Sequence, residues 1–579
     1  MGYIAIIDTG IDELSPAYSN VKKEFVVEET DNSVIIKERR AEDFIGHGTE
    51  VANLIVEKNP QAQLFIIKAF NQLLVSVETL ILSLEFLIKQ DDIDFINLSC
   101  GITNTSNING LKQICDMLLS KNVILISAFD NNGALSFPAA FDSVIGVDVT
   151  NVKNKICENY QNKYVVNYFL PDKYYRVSGL HNKKEIIRGT SYACAEVTGK
   201  LSLEYKTFEK RKKLSELMKK TKEKKELKTL GFKINKAIIF PLNKESDCVI
   251  RQKEKLDFEI IGVYDEVRKC RIGDVINGIT IQKFSEIDWN QDFDTVILSC
   301  TDELEELTGI PYKDIVIKKS LEYSKKIYSF EKIENWHLNA GKNFFFPQTT
   351  IADSAWRNLG KIYKSSVPTV VIAGTNSKQG KFTLQISLVD YFKRKNYKTG
   401  FLATEPSGYL FGADYVFPMG YKSTVELKDN PYLYISTVNN AIQYIESKNE
   451  ELIIAGCQSY SIQYDNSFIG QYSLTQHFFF LGIDADIYIL IVNLFDEIEY
   501  IDRTVNYLNS LSDGKVIAFV IAPFSIKKTA TGIKMKVLEN SDAQVVHKRK
   551  ELYDYFSVPV FEFSEIEELG NKIIDYFGE

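Results

Sequence analysis

The chain has 579 residues, 45% apolar and 25% charged, with a formal net charge of -8; this is the composition of a soluble globular protein long enough for about three or four domains. The acidic balance gives no reason to expect nucleic acid or an anionic membrane as a main partner, and no apolar run has the length of a membrane span or the flanks of a cleavable signal. Eight cysteines without CxxC pairs and five unclustered histidines fit reduced thiols in a cytoplasm and argue against a zinc site.

The chain opens with Tyr3-Ile4-Ala5-Ile6-Ile7, an unbroken apolar run with the pattern of a strand buried on both faces. Asp8-Thr9-Gly10 stands where that strand would emerge. A carboxylate there is expensive to bury without a partner, so Asp8 reads either as a turn or helix cap or as the orienter of a catalytic base. The stretch EDFIGHGTEVANLIV then sets His47-Gly48-Thr49 ahead of Val51, Leu54 and Ile55 at helical spacing. Taken alone, His47 reads as a core histidine at the start of a buried helix. Further on, INLSCG carries Ser99, Cys100 and Gly101, and ILISAFDNNGALSFPAAFDSVIGV carries Phe129, Asp130 and Asn131. Finally, IIRGTSYACAEVTGKL places Ser191 after Gly189-Thr190, where a helix of small residues (Ala193, Cys194, Ala195, Gly199) begins. A hydroxyl at that point meets free backbone N–H groups and a helix dipole that favour developing negative charge.

In these five ordered blocks, residues 1–205 resemble a subtilisin-like serine peptidase, whose triad runs in the chain order Asp, His, Ser. The resemblance implies that Ser191 is the nucleophile, that His47 is its general base and then the acid for the leaving amine, and that Asp8 holds the imidazole tautomer. It implies an oxyanion hole made by Asn131 and the Ser191 backbone N–H, and substrate pairing along Ser99, Cys100 and Gly101, with no metal or cofactor for the cleavage. Two departures stand out. Seven residues before Asp8 leave no room for the family's usual signal and propeptide. Phe129 and Asp130 stand where a small residue and glycine are usual beside the primary specificity pocket, so that pocket is expected to be smaller, more acidic, or both.

Residues 206–234 are lysine-rich, with Leu214, Leu217 and Met218 at helical spacing. They read as a basic helical linker with a solvated face, the alternative being a surface for an acidic peptide or RNA. In 235–345, KAIIFPL, FEIIGVYD and DTVILSC read as parallel strands, with amphipathic segments such as SLEYSKKIYSFEKI between or after them; the result is a Rossmann-like accessory or docking domain. NKES follows its first strand in place of a GxGxxG loop, so nothing supports a dinucleotide there.

In 346–579, a strand over Thr369–Ala373 leads into GTNSKQGKFT and an amphipathic helix, the arrangement in which backbone N–H groups and a lysine hold phosphate. YKTGFLATEPSG, EELIIAGCQSYSI, ADIYILIVN and KVIAFVIAPF supply further strands. Over 365–525 this part resembles the dethiobiotin-synthetase-like P-loop proteins, which implies a nucleotide, ATP or GTP, at Gly374, Thr375, Asn376, Gly380, Lys381 and Thr383. Phe382 displaces the hydroxyl by one position. Gly456-Cys457-Gln458 lacks the relatives' metal-holding glutamate, for which Glu405 is a candidate substitute. The fold class is therefore α/β: a subtilisin-like doubly wound parallel sheet, then a Rossmann-like unit and a P-loop α/β domain.

The fusion as a whole resembles proteins of clostridial peptide-maturation systems. That implies an intracellular serine endopeptidase removing the leader of a dedicated precursor peptide, with the C-terminal part recognising the precursor, another maturation enzyme or a nucleotide. Two other readings remain open: a nucleotide-dependent ligase or kinase with a secondary peptidase part, and a non-catalytic scaffold.

Overall fold

A computed structural model describes residues 2–30, 33–70, 76–103, 108–131, 136–150, 168–220, 230–266, 272–333, 343–350, 362, 364–419, 424–425, 431–465, 472–522, 524–529, 532–537 and 542–578. Two compact units are present, Met1–Lys225 with Trp356–Ile362, and Glu226–Ala355 with Tyr363–Glu579.

The opening apolar run of the first unit is strand β1 (Tyr3–Asp8). It is followed by β2 (Val21–Thr30), β3 (Ser33–Glu38), β4 (Leu64–Lys68), β5 (Ile93–Leu98), β6 (Ile124–Ala128), β7 (Ile145–Thr150) and β8 (Tyr168–Pro171). They form one sheet in the order β3-β2-β4-β1-β5-β6-β7-β8. Every pair is parallel except the edge hairpin β2–β3. Ile4, Ile6, Leu64, Ile66, Ile96 and Ile126 are fully buried, as expected where helices cover both faces. The strand order reverses across β1, and in open α/β sheets ligands bind at the C-terminal strand ends beside such a reversal. Asp8 closes β1, Ser99 follows β5, and Phe129 to Asn131 follow β6. Helices α1 (His47–Lys58), α2 (Val77–Ile88), α3 (Ile108–Ser120) and α4 (Thr190–Glu204) complete the layers.

The small residues of α4 let it run almost wholly buried, and its one deeply placed acid is Glu196, whose side chain is 4% exposed. Glu196 accepts from Tyr175 Oη at 2.9 Å and pairs with Lys173 at 2.8 Å and Lys200 at 2.6 Å. Burial alone would raise its pKa, but the three hydrogen bonds outweigh that and hold it at about 2. A depressed carboxylate stabilises the fold above its unfolded pKa of about 4.3 and loses that contribution as pH falls through the folded value. Glu196→Gln is therefore expected to cost about 2–4 kcal/mol at neutral pH. It should also flatten the loss of stability between pH ~4.5 and ~2 in urea melts repeated across pH.

The lysine-rich stretch differs from the solvated linker expected of it. Its helix α5 (Phe208–Lys220) buries Leu214 and Met218 in the first unit's core, while Leu217 stays 47% exposed. Arg211 meets Asp94 at 2.6 Å with both side chains nearly buried. The leucine and methionine at helical spacing are thus a packing stripe, and the lysines cover its outer side. Residues 221–229 of that stretch lie outside the described residues.

The second unit holds two seven-stranded sheets. The first comprises β11 (Lys236–Phe240), β12 (Glu259–Asp265), β13 (Val275–Ile276), β14 (Ile279–Lys283), β15 (Thr295–Leu298), β16 (Lys326–Ser329) and β17 (Phe344–Phe345). The small antiparallel sheet of the first unit contributes β9 (Tyr175–Ser178) and β10 (Lys184–Ile187) to this numbering. The order β13-β14-β12-β11-β15-β16-β17 is parallel apart from β13–β14. KAIIFPL, FEIIGVYD and DTVILSC supply β11, β12 and β15, as read from the sequence. SLEYSKKIYSFEKI differs from expectation: it ends the helix Tyr312–Glu322 and then enters β16, where Ile327 and Tyr328 are buried. A turn with Ser324 at φ 54° separates the two, so the segment is not one amphipathic helix.

The second sheet comprises β18 (Thr369–Gly374), β19 (Thr399–Ala403), β20 (Tyr415–Val416), β21 (Leu452–Gly456), β22 (Ile487–Val492), β23 (Lys515–Ile521) and β26 (Val560–Glu562). It is wholly parallel in the order β20-β19-β21-β18-β22-β23-β26. The hairpin of β24 (Phe524–Thr529) and β25 (Gly532–Val537) stands apart from it. Within this unit the sheets are packed together: Leu410 enters the core of the first, and Tyr328 Oη donates to Pro406 O at 2.6 Å. Among the described residues no helix is long and apolar enough to cross a membrane.

Candidate active site

Asp8 is fully buried at the end of β1, and its Oδ1 lies 2.7 Å from His47 Nδ1. The same oxygen accepts from Thr9 N at 2.8 Å, while Oδ2 is buried with no hydrogen-bond partner among the described residues. The approach of strand end to helix start depends on two glycines. A Cβ on Gly48 would sit 2.3 Å from Gly10 O, and Gly10 itself has φ 115°. Thr9 Oγ1 accepts from Gly48 N at 2.8 Å and locks the junction. Asp43 anchors α1 from outside, accepting from Ile45 N, Gly46 N, Thr49 N and Thr49 Oγ1. These hydrogen bonds overcome its burial and lower its pKa.

Ser191 is the second residue of α4 and is 8% exposed. Its Oγ donates to the Ser99 carbonyl at 2.8 Å. No hydrogen bond joins it to His47 among the described residues; the two are neighbours through Tyr192, whose ring centroid is 5.4 Å from the imidazole. The Asn97 carboxamide ties α4 to β5: Nδ2 donates to Ser99 Oγ at 2.8 Å, and Oδ1 accepts from Thr198 Oγ1 at 2.8 Å and Cys194 Sγ at 3.4 Å. Asn131 is exposed, and its Oδ1 accepts from Thr190 N and Thr190 Oγ1, each at 2.9 Å. That fixes the carboxamide with Nδ2 as the end left to donate.

Ser99 is buried and Cys100 and Gly101 half-buried where the chain leaves β5. Burial pushes the Cys100 thiol up to about 12, so it stays protonated. Phe129 is 3% exposed, with its N–H on Val147 O at 2.9 Å; Asp130 is half-buried, with its N–H on Ser136 Oγ at 2.9 Å. Asn132 lies outside the described residues. Burial disfavours the His47 imidazolium, but Asp8 above all, then Glu50 and Asp43, outweigh it and raise the His47 pKa. The structure thus brings together a buried carboxylate, an imidazole of raised basicity, a hydroxyl at a helix N-terminus and a fixed amide donor. Asp43, Glu50 and Asn97 lie inside the stretches EDFIGHGTEVANLIV and INLSCG, but the sequence reading assigns none of them a role.

In the second unit, Gly374 ends β18, Thr375, Asn376 and Gly380 lie in the loop that follows, and Lys381 is the first residue of helix α7 (Lys381–Arg394), preceded in the chain by α6 (Lys244–Arg251). Lys381 is 6% exposed, and its Nζ donates to Asn376 O at 2.6 Å. Burial lowers its pKa to about 8. Gln379 braces the loop, accepting from Asn376 N at 2.9 Å and donating to Thr375 Oγ1 at 2.7 Å. Thr375 Oγ1 also donates to Asp496 Oδ2. Phe382 is packed in the core, and Thr383, in the first turn of α7, meets the Cys248 thiol of α6. Glu405 is close enough to Lys381 for each to shift the other's ionisation, and burial raises its pKa.

The Subtilase family model matches residues 2–234, and the P-loop domain of DUF1611, a family described as a domain of unknown function, matches residues 358–475. The chain is 30% identical over 240 residues to the membrane-bound transcription factor site-1 protease of Rattus norvegicus, covering 36% of this chain and 22% of that protein. It thus spans about a fifth of that relative's length. It is 29% identical over 238 residues to the major intracellular serine protease of Bacillus subtilis (strain 168), covering 37% of this chain and 72% of that one. A crystal structure of a DUF1611 family protein from Anabaena variabilis is 12% identical, with a TM-score of 0.42, covering 59% of this chain and 100% of that chain. The three motifs that hold Asp8, His47 and Ser191 therefore sit in a subtilase domain, and a P-loop domain similar to that of DUF1611 follows it in the chain.

Proposed function

We propose that this chain is a serine endopeptidase that acts in the cytoplasm on a dedicated precursor peptide, removing its leader, with Asp8, His47, Ser191 and Asn131 as the catalytic set. The observation that carries the reading is the 2.7 Å contact of His47 Nδ1 with buried Asp8 Oδ1, beside Ser191 at the start of α4. An extended substrate pairing along Ser99, Cys100 and Gly101 takes the Ser99 carbonyl as its acceptor. That releases Ser191 Oγ to turn toward His47 Nε2. His47 accepts the hydroxyl proton as Oγ attacks the scissile carbonyl, then returns it to the leaving amine; Asp8 keeps Nδ1 protonated throughout. The Asn131 Nδ2 and the Ser191 N–H bind the oxyanion, and a water hydrolyses the acyl-enzyme. Phe129 and Asp130 restrict the pocket for the residue before the cut to small or basic side chains. Asn131→Ala is expected to slow cleavage of a labelled casein or a peptide library by about two to three orders of magnitude while a fluorophosphonate still labels the enzyme. Wild-type rates in that variant would remove Asn131 from the oxyanion hole.

The P-loop residues support a second element of the reading, a phosphate or nucleotide site. Gly374, Thr375, Asn376 and Gly380 shape the loop, and Lys381 is a buried cation beside it, which fits ATP or GTP phosphates. Bound there, a nucleotide would gate the protease or anchor a partner maturation enzyme. Since Gly456-Cys457-Gln458 offers no carboxylate, magnesium dependence should be weaker than in a kinase, with Glu405 as the nearby acid. Titration calorimetry with each nucleotide, with and without magnesium, should give binding in the wild type and at least tenfold weaker binding in Lys381→Ala, about the loss of one charged hydrogen bond. Absence of heat in the wild type would leave the domain a contact surface; brisk magnesium-dependent hydrolysis would make it a working phosphotransferase.

A further inference from the structure

Among the described residues, the hydrogen bond that holds the His47 ring is the one to Asp8, and a ring fixed at one atom can still swing about it. The next residue after the nucleophile, Tyr192, lies against the imidazole with its ring centroid 5.4 Å away and the planes inclined at 46°. Its hydroxyl donates at 2.7 Å to Glu50 Oε2, on the first turn of the helix that begins at His47. The bond joins residues 142 positions apart and spans α1 and α4, the helices that carry base and nucleophile. A half-buried carboxylate so placed costs desolvation, which its burial-raised pKa records, while the Tyr192 hydrogen bond and the His47 charge offset part of that cost.

Resting on the protease reading, we infer that Tyr192 and Glu50 form a positioning clamp for the catalytic imidazole: the Tyr192 ring limits the swing of His47, and the Tyr192–Glu50 bond fixes the base's helix against the nucleophile's. The clamp also adds charge. The groups facing His47 are Asp8 from β1, Asp43 from the segment before α1, Glu50 from α1 and the Tyr192 ring from α4; those facing Glu50 are Tyr192, His47, Asp43 and Glu185 of β10. Ionised Glu50 favours the imidazolium, so it moves the acidic limb of activity to higher pH.

The test is the labelling rate of the full chain by a fluorophosphonate probe across pH, alongside kcat and KM on fluorescein-labelled casein, for wild type, Tyr192→Phe, Glu50→Ala and Glu50→Gln. The expected result is that Tyr192→Phe and Glu50→Ala lower the alkaline plateau of labelling and kcat about tenfold with KM little changed. Glu50→Gln, which keeps an acceptor for Tyr192 but no charge, should recover most of the kcat lost in Glu50→Ala and move the acidic limb down by about half a pH unit. If Glu50→Ala does not fold, the other two variants still decide through plateau and limb. Wild-type plateaus and an unshifted limb in the variants would overturn the clamp alone. An unlabelled wild type would overturn the protease reading beneath it.

Discussion

Ser191→Ala is expected to lower peptide cleavage by about six orders of magnitude, because the one atom removed is the atom that forms the acyl bond. His47 and Asp8 alone offer water a base but no covalent route, and the Asn131 amide can then stabilise only a slow direct attack. Stability should change little: the lost hydroxyl gives up one hydrogen bond to Ser99 O, worth about 1 kcal/mol, and leaves a methyl group at the start of a helix rich in small residues. Purified variant and wild type compared on labelled casein, with thermal melts as the control, decide the point. Cleavage within tenfold of wild type by a folded Ser191→Ala protein would mean that another nucleophile acts.

Asp8→Asn should be the next most damaging change, with a loss of about four orders of magnitude in kcat. Asp8 can only accept, so it compels His47 to carry its proton on Nδ1 and present Nε2 as the base. An amide can donate instead, which favours the opposite tautomer and leaves Nε2 protonated and useless toward Ser191. The substitution also removes the charge that most strongly raises the His47 pKa, so the residual activity should have its acidic limb at lower pH than wild type. The buried Asp8 Oδ2 has no partner among the described residues, so the new amide must find one or cost about 1–3 kcal/mol. A loss of less than tenfold, with an unshifted limb, would show that Asp8 is only a cap for the β1–α1 junction.

What could be read before folding was whatever is local in the chain. Asp8 ends a buried strand, His47 begins a helix and Ser191 begins another, and each carries its own neighbours, so three short motifs point to the candidate site. The parallel strands were legible for the same reason, as apolar runs bounded by turns. What escaped depends on long-range contacts. Glu50 meets Tyr192 across 142 residues, Asn97 reaches Thr198 across 101, and neither pairing leaves a pattern in the sequence. The rotamer of Ser191 escaped likewise, because the acceptor it uses is a backbone carbonyl with no residue identity. The lysine-rich stretch reads as a helical linker with a solvated face, yet Leu214 and Met218, two of its three apolar residues at helical spacing, dock the helix on the core while its lysines stay solvated on the other side.

The most direct test of the central claim is to treat the wild-type chain with a fluorophosphonate and locate the adduct by peptide mass spectrometry. The expected adduct is a single phosphonyl group on Ser191, abolished in Asp8→Asn to the same degree as cleavage; a labelled serine elsewhere, or a folded protein that takes no label, would contradict it.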